Sequence, residues 1–300
     1  MTIEPPAPDE PRRPLGPRDP GDAWVVAESG ERYWGRFGAA GLLALDADRG
    51  VLLQHRVSWS HHGGTWALPG GARHQGESAM AGALREAAEE AGVPLGAVRP
   101  RFSSVLDLDV WTYATVVADV LEPFEPVISD PESYALEWTP VADVDAQPLH
   151  PGFARAWAGL RELLDVRPAI VVDGANVVGS VPDGWWRDRP GAAARLLGRL
   201  TMLDAEGMDA AALGLAASRW YPELVLVVEG QARALEGGDA AVRVVRAPGE
   251  GDDAIAAEAA RLVGAGRTVT VVTSDRGLAQ RATDAGASVR GTRWLLDLLP

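Results

Sequence analysis

The second half of the chain alternates strand-length apolar segments with amphipathic ones, and this alternation restricts the possible folds more than any other feature of the sequence. The apolar segments are AIVVDGANVV (169–178), LVLVVEG (224–230), VRVVRAP (242–248) and TVTVVTSD (268–275). Helices are predicted over 191–207, from Asp252 and after Asp275. Strands without a polar face are typical of a parallel sheet that helices cover on both sides. We therefore predict an α/β domain with a mostly parallel sheet over residues 166–300.

The first half has a different pattern, in which short apolar runs alternate with turns. GRFGAAGLLALD (35–46) and VLLQHR (51–56) flank the Arg49-Gly50 break and predict a β-hairpin. Strands are also predicted over 110–122 and 135–141, and helices after Glu77 and over 153–164. The change of pattern near residue 165 predicts a separate α+β domain over residues 23–165.

Composition limits where the chain can reside and what it can bind. Residues 1–22 are dense in Pro, Asp and Arg, which predicts a disordered tail without an apolar signal-peptide core. No apolar run approaches the roughly 20 residues that span a bilayer, so we expect a cytoplasmic protein with no membrane partner. The net charge of −14 argues against non-specific binding to nucleic acid or anionic membranes.

The missing residue types exclude several kinds of catalytic site. The chain has no cysteine, which excludes thiolate zinc sites, iron–sulfur clusters and a cysteine nucleophile. All 28 basic residues are arginine, so a P-loop lysine and a Schiff-base lysine are also excluded. The histidines all precede residue 151, which leaves carboxylates with a metal ion as the obvious hydrolytic chemistry for the second half. Absence of lysine beside abundant Ala, Arg and Gly is typical of a GC-rich genome such as an actinobacterial one.

Three glutamates share one face of the helix that is predicted after Glu77. Glu86, Glu89 and Glu90 stand at i, i+3 and i+4, where like charges repel and destabilise a helix. A divalent cation would remove this penalty, and hard oxygen ligands suit Mg²⁺ or Mn²⁺. A solvated acidic face is the alternative interpretation of a Glu-Glu pair taken alone.

The segment from Gly71 to Val93 fits a longer pattern, Gly-x5-Glu-x7-Arg-Glu-U-x-Glu-Glu-x-Gly-U, in which U is apolar. This pattern is the Nudix box, and with TWALPGG (65–71) before it the chain resembles the MutT-like Nudix hydrolases over about 24–164. The resemblance implies a mixed sheet sandwiched between helices. It also implies hydrolysis of the diphosphate linkage in a nucleoside diphosphate derivative, either an NTP or an NDP-X compound.

The resemblance assigns roles to residues of the box. Glu86, Glu89, Glu90 and the carbonyl of Gly71 would hold Mg²⁺ or Mn²⁺, while Arg85 and Glu77 would orient the loop and the helix. The general base stays open, and the candidates are Glu89, Glu90, Glu132 and Glu137. His61 and His62 lie in a Gly-rich loop before the box, where they are either exposed loop residues or contacts to phosphate.

Acidic residues follow the apolar strands of the second half. Asp173, Glu229 and Asp275 end three of these strands, and Asp252 and Asp253 begin the helix after another. Because the carboxyl ends of parallel strands meet at one edge of a sheet, we expect these acids to converge there. Helix capping is the alternative interpretation of any one of them.

The same half resembles the NYN/PIN-like ribonuclease superfamily over about 168–300, through VVDGANVV (171–178), GEGDDAIAA (249–257) and TSDRGLAQRA (273–282). The resemblance implies RNA cleavage that depends on Mg²⁺ or Mn²⁺. Asp173, Asp253 and Asp275 would be the catalytic ligands, with Asp252 as a close second to Asp253. Asn176 and Ser274 would position the substrate side of this site.

Two hypotheses follow from the two resemblances. In the first, the chain is a bifunctional hydrolase that joins a nucleotide pyrophosphohydrolase to a ribonuclease. In the second, only the first domain is catalytic, and the second binds RNA or a protein partner. Acids converging within about 4–5 Å would favour the nuclease, whereas acids scattered or tied to arginines would favour the binding module. The sequence leaves the nucleotide, the RNA target and the oligomeric state open.

Overall fold

A computed structural model describes residues 1–6, 19–237 and 241–300, and the chain divides into two compact units. The first unit comprises Met1–Leu164 with Ala216–Ser218, and the second comprises Asp165–Leu215 with Arg219–Pro300. The division at Leu164–Asp165 lies within one residue of the boundary that the sequence predicts.

The first unit contains a small sheet and a large one. The small sheet is antiparallel, with β1 (Thr2–Glu4), β2 (Trp24–Val26) and β3 (Arg32–Trp34). The large sheet contains β4 (Ala39–Asp46), β5 (Gly50–Arg56), β6 (Trp66–Ala67), β7 (Gly70–Ala72), β8 (Val98–Asp107), β9 (Thr112–Val120) and β10 (Ser133–Thr139). Its long strands run in the order β10-β5-β4-β9-β8. The β4–β9 pair is parallel and the others are antiparallel, so this sheet is mixed.

Two α-helices accompany the large sheet, α1 (Ala79–Ala91) and α2 (Pro151–Leu163), and Val141–Ala146 form a 3₁₀ helix. The sheet-facing side of α1 is made of Ala83, Ala87 and Ala91, which are fully buried in one core cluster with residues of β4 and β9. Small side chains let the helix approach the strands closely, so the glutamates between them are held near the sheet.

The structure differs from the prediction of a disordered tail over residues 1–22. Thr2–Glu4 pair with Trp24–Val26 as the edge strand of the small sheet. Backbone hydrogen bonds of this kind need little side-chain burial, so a composition rich in Pro and charge gives no sign of them. Residues 7–18 of the predicted tail lie outside the described residues.

The second unit is built on a five-stranded sheet in the order β15-β14-β11-β16-β17, in which every neighbouring pair is parallel. Its strands are β11 (Pro168–Asp173), β14 (Glu223–Val228), β15 (Val242–Arg246), β16 (Thr268–Val272) and β17 (Ser288–Arg290). A short antiparallel pair, β12 (Met208–Asp209) and β13 (Arg219–Trp220), lies outside it.

Helices cover both faces of this parallel sheet. They are α3 (Gly174–Gly179), α4 (Arg189–Glu206), α5 (Ala210–Leu213), α6 (Gly251–Gly264), α7 (Arg276–Asp284) and α8 (Thr292–Leu298), with 3₁₀ helices at Trp185–Arg187 and Gly230–Ala234. Ile170 and Val172 of β11 share a core cluster with residues of α4, whereas Val171 belongs to a cluster with residues of α6. Successive residues of β11 therefore serve opposite cores, which explains why the strand is apolar throughout.

The strand predicted over 169–178 ends earlier than the sequence suggests. β11 stops at Asp173, and α3 begins at Gly174. The Asp173 Oδ1 atom accepts a hydrogen bond from the Asn176 N–H at 3.0 Å, which caps the new helix. The aspartate that ends the central strand thus turns the chain at the edge of the sheet.

Among the described residues, the structure contains no helix that is both long enough and apolar enough to cross a membrane.

The C-terminal end of α1 provides a test of local stability. Gly92 has φ +66°, and a Cβ there would lie 3.2 Å from Val127 Cβ. We expect Gly92→Ala to lower the free energy of unfolding by about 1 kcal/mol, because only glycine adopts this backbone at low cost. Chemical denaturation measures the loss. Gly96→Ala is the control, since nothing lies within 4 Å of its added Cβ, and an equal loss in both variants would contradict the interpretation.

Candidate active sites

The loop before α1 is fixed to the helix by one ion pair. Arg85 Nε and Nη2 donate to the two carboxylate oxygens of Glu77, each at 2.9 Å. Arg85 Nη2 also donates to the Ala72 carbonyl at 2.9 Å, and Glu77 accepts from the His74 N–H at 2.9 Å. The pair is largely buried, so its charges are poorly screened by solvent. These bonds of Arg85 and Glu77 join the loop to the helix.

The three helix glutamates lie at different depths. Glu86 and Glu90 are 4% and 2% exposed, whereas the side chain of Glu89 is 42% exposed. Arg85 Nη1 donates to Glu86 Oε1 at 2.7 Å and to Glu89 Oε2 at 3.2 Å. The guanidinium of Arg85 thus contacts Glu77, Glu86 and Glu89 at once, and it offsets part of their mutual repulsion.

The Gly70-Gly71 turn brings backbone atoms against these carboxylates. The Gly70 N–H donates to Glu90 Oε2 at 2.9 Å. A Cβ at Gly71 would stand 2.8–2.9 Å from the carboxylate atoms of Glu86, so a side chain there would displace this carboxylate. Glycine at 71 therefore allows the Glu86 carboxylate to lie against the backbone of the turn.

The donor set of this site fits a hard divalent cation. Glu86, Glu89, Glu90 and the neighbouring backbone offer only oxygen ligands, and the space beside Gly71 is one that a side chain would fill. Burying Glu86 and Glu90 together is costly without a cation to share their charge. Within the described ranges, however, no three carboxylates converge closely enough to hold an ion without rotation of side chains.

Gln54 of β5 belongs to this site, although nothing in the sequence singles it out. It is fully buried, and its Nε2 donates to Ser133 Oγ at 2.8 Å and to Glu90 Oε2 at 3.3 Å. Glu132 and Glu137, which the sequence offers as possible bases, lie beside and on β10. Glu137 is exposed opposite Leu53, and the Glu132 carbonyl accepts from the Val57 N–H. Both residues remain candidates for the general base, as the sequence proposes them.

Comparison with known proteins identifies the first unit. The NUDIX domain family matches residues 35–159. A Mycobacterium tuberculosis protein named "Putative 8-oxo-dGTP diphosphatase 3" is 48% identical over 154 residues, which cover 48% of this chain and 70% of the relative. The chain belongs to the Nudix family. The family resemblance predicted from the box is thereby confirmed for the first unit, hereafter the Nudix unit.

Two further proteins are similar to the Nudix unit. A Bifidobacterium longum protein named "Nucleoside triphosphate pyrophosphatase/Nudix hydrolase fusion protein" is 38% identical over 154 residues, 49% of this chain and 32% of that protein. The crystal structure of the Nudix hydrolase RenU from M. smegmatis is 47% identical, with a TM-score of 0.45, and covers 48% of this chain and 94% of that one. Nudix hydrolases generally use divalent metal ions, which agrees with the oxygen donors of the site.

The second unit has a cleft of its own at the carboxyl edge of the parallel sheet. Its volume is about 480 Å³. The polar side chains that line it come from α3, from the start of α6 and from the ends of β11, β14 and β16 or the residues just after them, and they include Asp173, Asn176, Glu229, Asp252, Ser274 and Asp275. The sequence-predicted acids are therefore brought to one cleft, with a single exception.

Asp253 is that exception, because it lies outside the cleft. It accepts a hydrogen bond from Arg281 Nη2 at 2.7 Å, and its side chain is 76% exposed. Asp252 lines the cleft instead. Adjacent residues of a helix point about 100° apart, so only one of the two aspartates can face the sheet edge. The sequence-based preference for Asp253 over Asp252 is thus not what the structure favours.

Electrostatic repulsion is concentrated in this cleft. Burial, with the charges of Asp252 and Glu229, raises the pKa of Asp173 above its usual value. Burial, with the charges of Asp275 and Glu229, also raises the pKa of Asp252, although Arg281 opposes the shift. Raised carboxylate pKa values mean that the ionised forms are strained together, and a cation would relieve this strain.

Hydrogen bonds fix the acids at the strand ends. Thr273 Oγ1 donates to Asp173 Oδ2 at 2.9 Å, and the Asp275 N–H donates to Thr273 Oγ1 at 3.1 Å. The Asn176 Oδ1 atom accepts from the Ser274 N–H at 3.0 Å, which ties β16 to α3. The sequence analysis expects the acids of a nuclease to converge within one metal shell. The acids share one cleft but, among the described residues, do not converge that closely, so the expectation is met only in part.

The Glu77–Arg85 pair generates a prediction with a defined pH dependence. Arg85 lowers the pKa of Glu77, so the pair contributes stability above the unfolded pKa of about 4.5, and this contribution is lost as the pH falls through the lower folded value. We expect Glu77→Gln to cost about 2 kcal/mol at pH 7 and much less at pH 3.

Urea denaturation of both proteins at the two pH values measures this difference. Glu125→Gln is the control, since Glu125 also pairs with an arginine, Arg49, but is 89% exposed. It should leave stability almost unchanged. A constant difference between wild type and Glu77→Gln from pH 7 to pH 3 would show that the ion pair is not its source.

Proposed function

We propose that the Nudix unit hydrolyses the diphosphate linkage of a nucleoside triphosphate, with 8-oxo-dGTP as the first substrate to test. The observation that carries this proposal is the packing of Glu86, Glu89 and Glu90 around Arg85 and beside the Gly70-Gly71 turn. The printed name of the M. tuberculosis relative, at 48% identity, supports the choice of an oxidised guanine nucleotide.

The residues that would hold Mg²⁺ or Mn²⁺ are Glu86, Glu89, Glu90 and the Gly71 carbonyl. Such an ion would offset charge on the phosphate oxygens and lower the pKa of a bound water. Arg85 keeps Glu86 and Glu89 on the loop side of the helix through its two Nη1 bonds. Gln54 and the Gly70 N–H restrict the Glu90 carboxylate from the opposite side.

Glu89 suits the role of general base better than Glu90. Its side chain is half-exposed, so it can accept a proton from water and return it to solvent. Glu90 is almost fully buried and its Oε2 already accepts hydrogen bonds from Gly70 and Gln54, so water from solvent reaches it less readily than it reaches Glu89.

Substitution of the helix glutamates tests the site. We expect Glu89→Gln and Glu90→Gln each to lower kcat for 8-oxo-dGTP by about 10³-fold, because each removes a charge that stabilises the transition state. Stability without metal should rise slightly in both variants, since carboxylate repulsion falls. Steady-state release of pyrophosphate with Mg²⁺, together with thermal unfolding in chelator, measures the two effects.

Glu162→Gln is the matched control for this test, because Glu162 is an exposed glutamate of α2. It should leave both kcat and stability unchanged. Turnover at the wild-type rate in both Glu89→Gln and Glu90→Gln would remove the helix from the mechanism, whatever the substrate proves to be.

We also propose that the second unit cleaves single-stranded RNA with Mg²⁺ or Mn²⁺. The observation that favours it is the cleft in which burial and mutual charge raise the pKa values of Asp173 and Asp252. Trp185 lines the same cleft, where its ring could stack on a base. A binding module without catalysis is the alternative, and the same experiment separates the two.

Asparagine substitutions distinguish the cleft from its surroundings. Asp173→Asn keeps a side chain that caps α3 but removes a charge, so we expect loss of RNA cleavage with no loss of folding. Asp252→Asn should lower cleavage strongly, whereas Asp253→Asn, outside the cleft, should lower it little. The assay measures cleavage of a labelled RNA oligonucleotide by the full-length protein in the presence of Mn²⁺.

Hydrolysis of 8-oxo-dGTP by the Asp173→Asn protein should be unchanged, because that site uses other residues. Cleavage that persists in excess chelator would exclude the metal mechanism. RNA that is bound but never cut by the wild-type protein with Mn²⁺ would establish the second unit as a binding module.

A further inference from the structure

Three histidines of the Nudix unit come together outside the glutamate site. Each of His61, His62 and His150 offers a ring nitrogen, and these atoms lie within 4.8 Å of one another. The ring centroids are 4.1 Å apart for His61 and His62 and 4.8 Å apart for His62 and His150. His61 and His62 are exposed and His150 is half-buried, so a ligand from solvent can reach all three.

A tight turn presents the first two imidazoles. The Gly63 N–H donates to the Ser60 carbonyl at 2.8 Å, and Thr65 Oγ1 donates to the His62 carbonyl at 2.6 Å. His62 itself has φ +54°, in the left-handed region that non-glycine residues seldom adopt. Such a conformation persists only where surrounding bonds hold it, and at binding sites it often serves the ligand.

His150 is held in a defined tautomer. The backbone N–H of His150 donates to the Trp66 carbonyl at 2.8 Å. The ring Nδ1 of His150 accepts from the Gly152 N–H at 3.1 Å, at the start of α2. Since Nδ1 accepts, the proton of the neutral ring is on Nε2, which becomes a donor. A donor suits an anion, whereas a metal ion would need this nitrogen unprotonated.

The charges around the cluster also favour an anion. The pKa of His61 is lowered, first by burial and next by the charges of His62, Arg56 and Arg32. Burial, then His62, Arg56, His61 and Arg155, lower the pKa of His150 to about 4. His61 and His150 are therefore mostly neutral at pH 7, and arginine charges act on both.

Arg56 connects this cluster to the glutamate site. It lies on β5 two residues after Gln54, and side chains two apart on a strand share one face. Gln54 donates to Glu90, and the charges of Arg56, Glu90 and Glu86 all act on the pKa of Tyr113. The charge of Arg56 thus acts both on His61 and His150 and on Tyr113, on which the charges of Glu86 and Glu90 also act.

We propose that His61, His62 and His150 form a phosphate-binding subsite, which takes a phosphate group of the nucleotide on the Arg56 side of the glutamates. This inference rests on the proposed function of the Nudix unit. Inorganic triphosphate offers the same chemistry as the phosphate chain of a nucleotide, so the two must be compared.

Binding at this subsite takes up protons. A phosphate group stabilises the imidazolium form of His61, so the pKa of His61 rises from below 6.5 in the free protein when the ligand binds, whereas His150, whose Nδ1 accepts from the Gly152 N–H, contributes its neutral Nε2–H donor. Between the free and the bound pKa values the complex holds more protons than its parts. Affinity therefore increases as the pH falls through this interval, by up to tenfold per pH unit for each proton taken up.

Isothermal titration of the full chain tests the subsite, with inorganic triphosphate and α,β-methylene-dGTP as probes in chelator at pH 6.5 and pH 8.5. Two buffers of different ionisation enthalpy give the number of protons taken up. We expect about tenfold tighter binding of both probes at pH 6.5 than at pH 8.5. Because triphosphate itself titrates in this range, the quantity compared is the difference between wild type and variants.

The variants are chosen to keep the fold. Asparagine tolerates the left-handed backbone at 62 and supplies a capping oxygen at 150, so His62→Asn and His150→Asn remove the rings alone. The double variant should bind at least tenfold more weakly at pH 6.5 and take up fewer protons on binding, because His61 alone then holds the phosphate. His55→Asn is the control for the loss of a histidine outside the cluster, since the ring of His55 stacks on Trp66.

Three results would overturn the subsite. They are equal affinity and proton uptake in wild type and double variant, binding of triphosphate without the nucleotide analogue, and tight binding of Zn²⁺ with no binding of either phosphate probe. Failure of the proposed function would look different. In that case 8-oxo-dGTP and other nucleotides would not be hydrolysed, although triphosphate binding would still depend on His62 and His150.

Discussion

The Nudix unit depends on one guanidinium. Arg85 joins the loop to the helix through Glu77 and reaches Glu86 and Glu89 from the same position, so structure and charge balance rest on a single side chain. Lysine could not do this, because the contacts need several donors in a planar fork. The bonds to Glu77 raise the pKa of Arg85 further above its usual value, which keeps it charged at any pH that the fold survives. A cation entering among the glutamates would therefore meet carboxylates that Arg85 has already oriented.

The second unit orients its carboxylates through backbone N–H groups and a threonine hydroxyl, whereas the Nudix unit uses an arginine. Asp173 and Asp275 each end a strand and cap the following helix, so the bonds that position their carboxylates also stabilise the fold. Thr273 links the two through its hydroxyl group. Burial raises the pKa of Asp173, the charges of Asp252 and Glu229 add to this shift, and the hydrogen bonds from Asn176 and Thr273 oppose it without reversing it.

Local periodicity and motif spacing were enough to predict α1, the β4–β5 hairpin and the parallel strands of the second unit. They failed where the partner of a side chain is distant in sequence, and where either of two adjacent residues could face the site. The strand Val98–Asp107 was not predicted because Pro100 interrupts its alternation, and the pairing with β9 shifts register at that point. Gln54 could not be assigned, since its partner Glu90 lies 36 residues away. Asp252 and Asp253 are adjacent aspartates that the sequence does not distinguish. The orientation of α6 determines that Asp252 faces the cleft.

The charge distribution sets different conditions for the two sites. After residue 165 the chain has 15 arginines and 17 acidic residues, so the second unit offers RNA little net attraction. Several arginines that could contact phosphate are engaged within the fold, as Arg246 is by the carbonyls of Leu235 and Gly237 and Arg195 is by Asp183. Affinity would then come chiefly from stacking on tryptophan and from the divalent ion, both of which act at single-stranded RNA. RNA binding of the proposed kind would be weak, would depend less on salt than binding through many phosphate contacts, and would favour substrates whose bases are already unpaired.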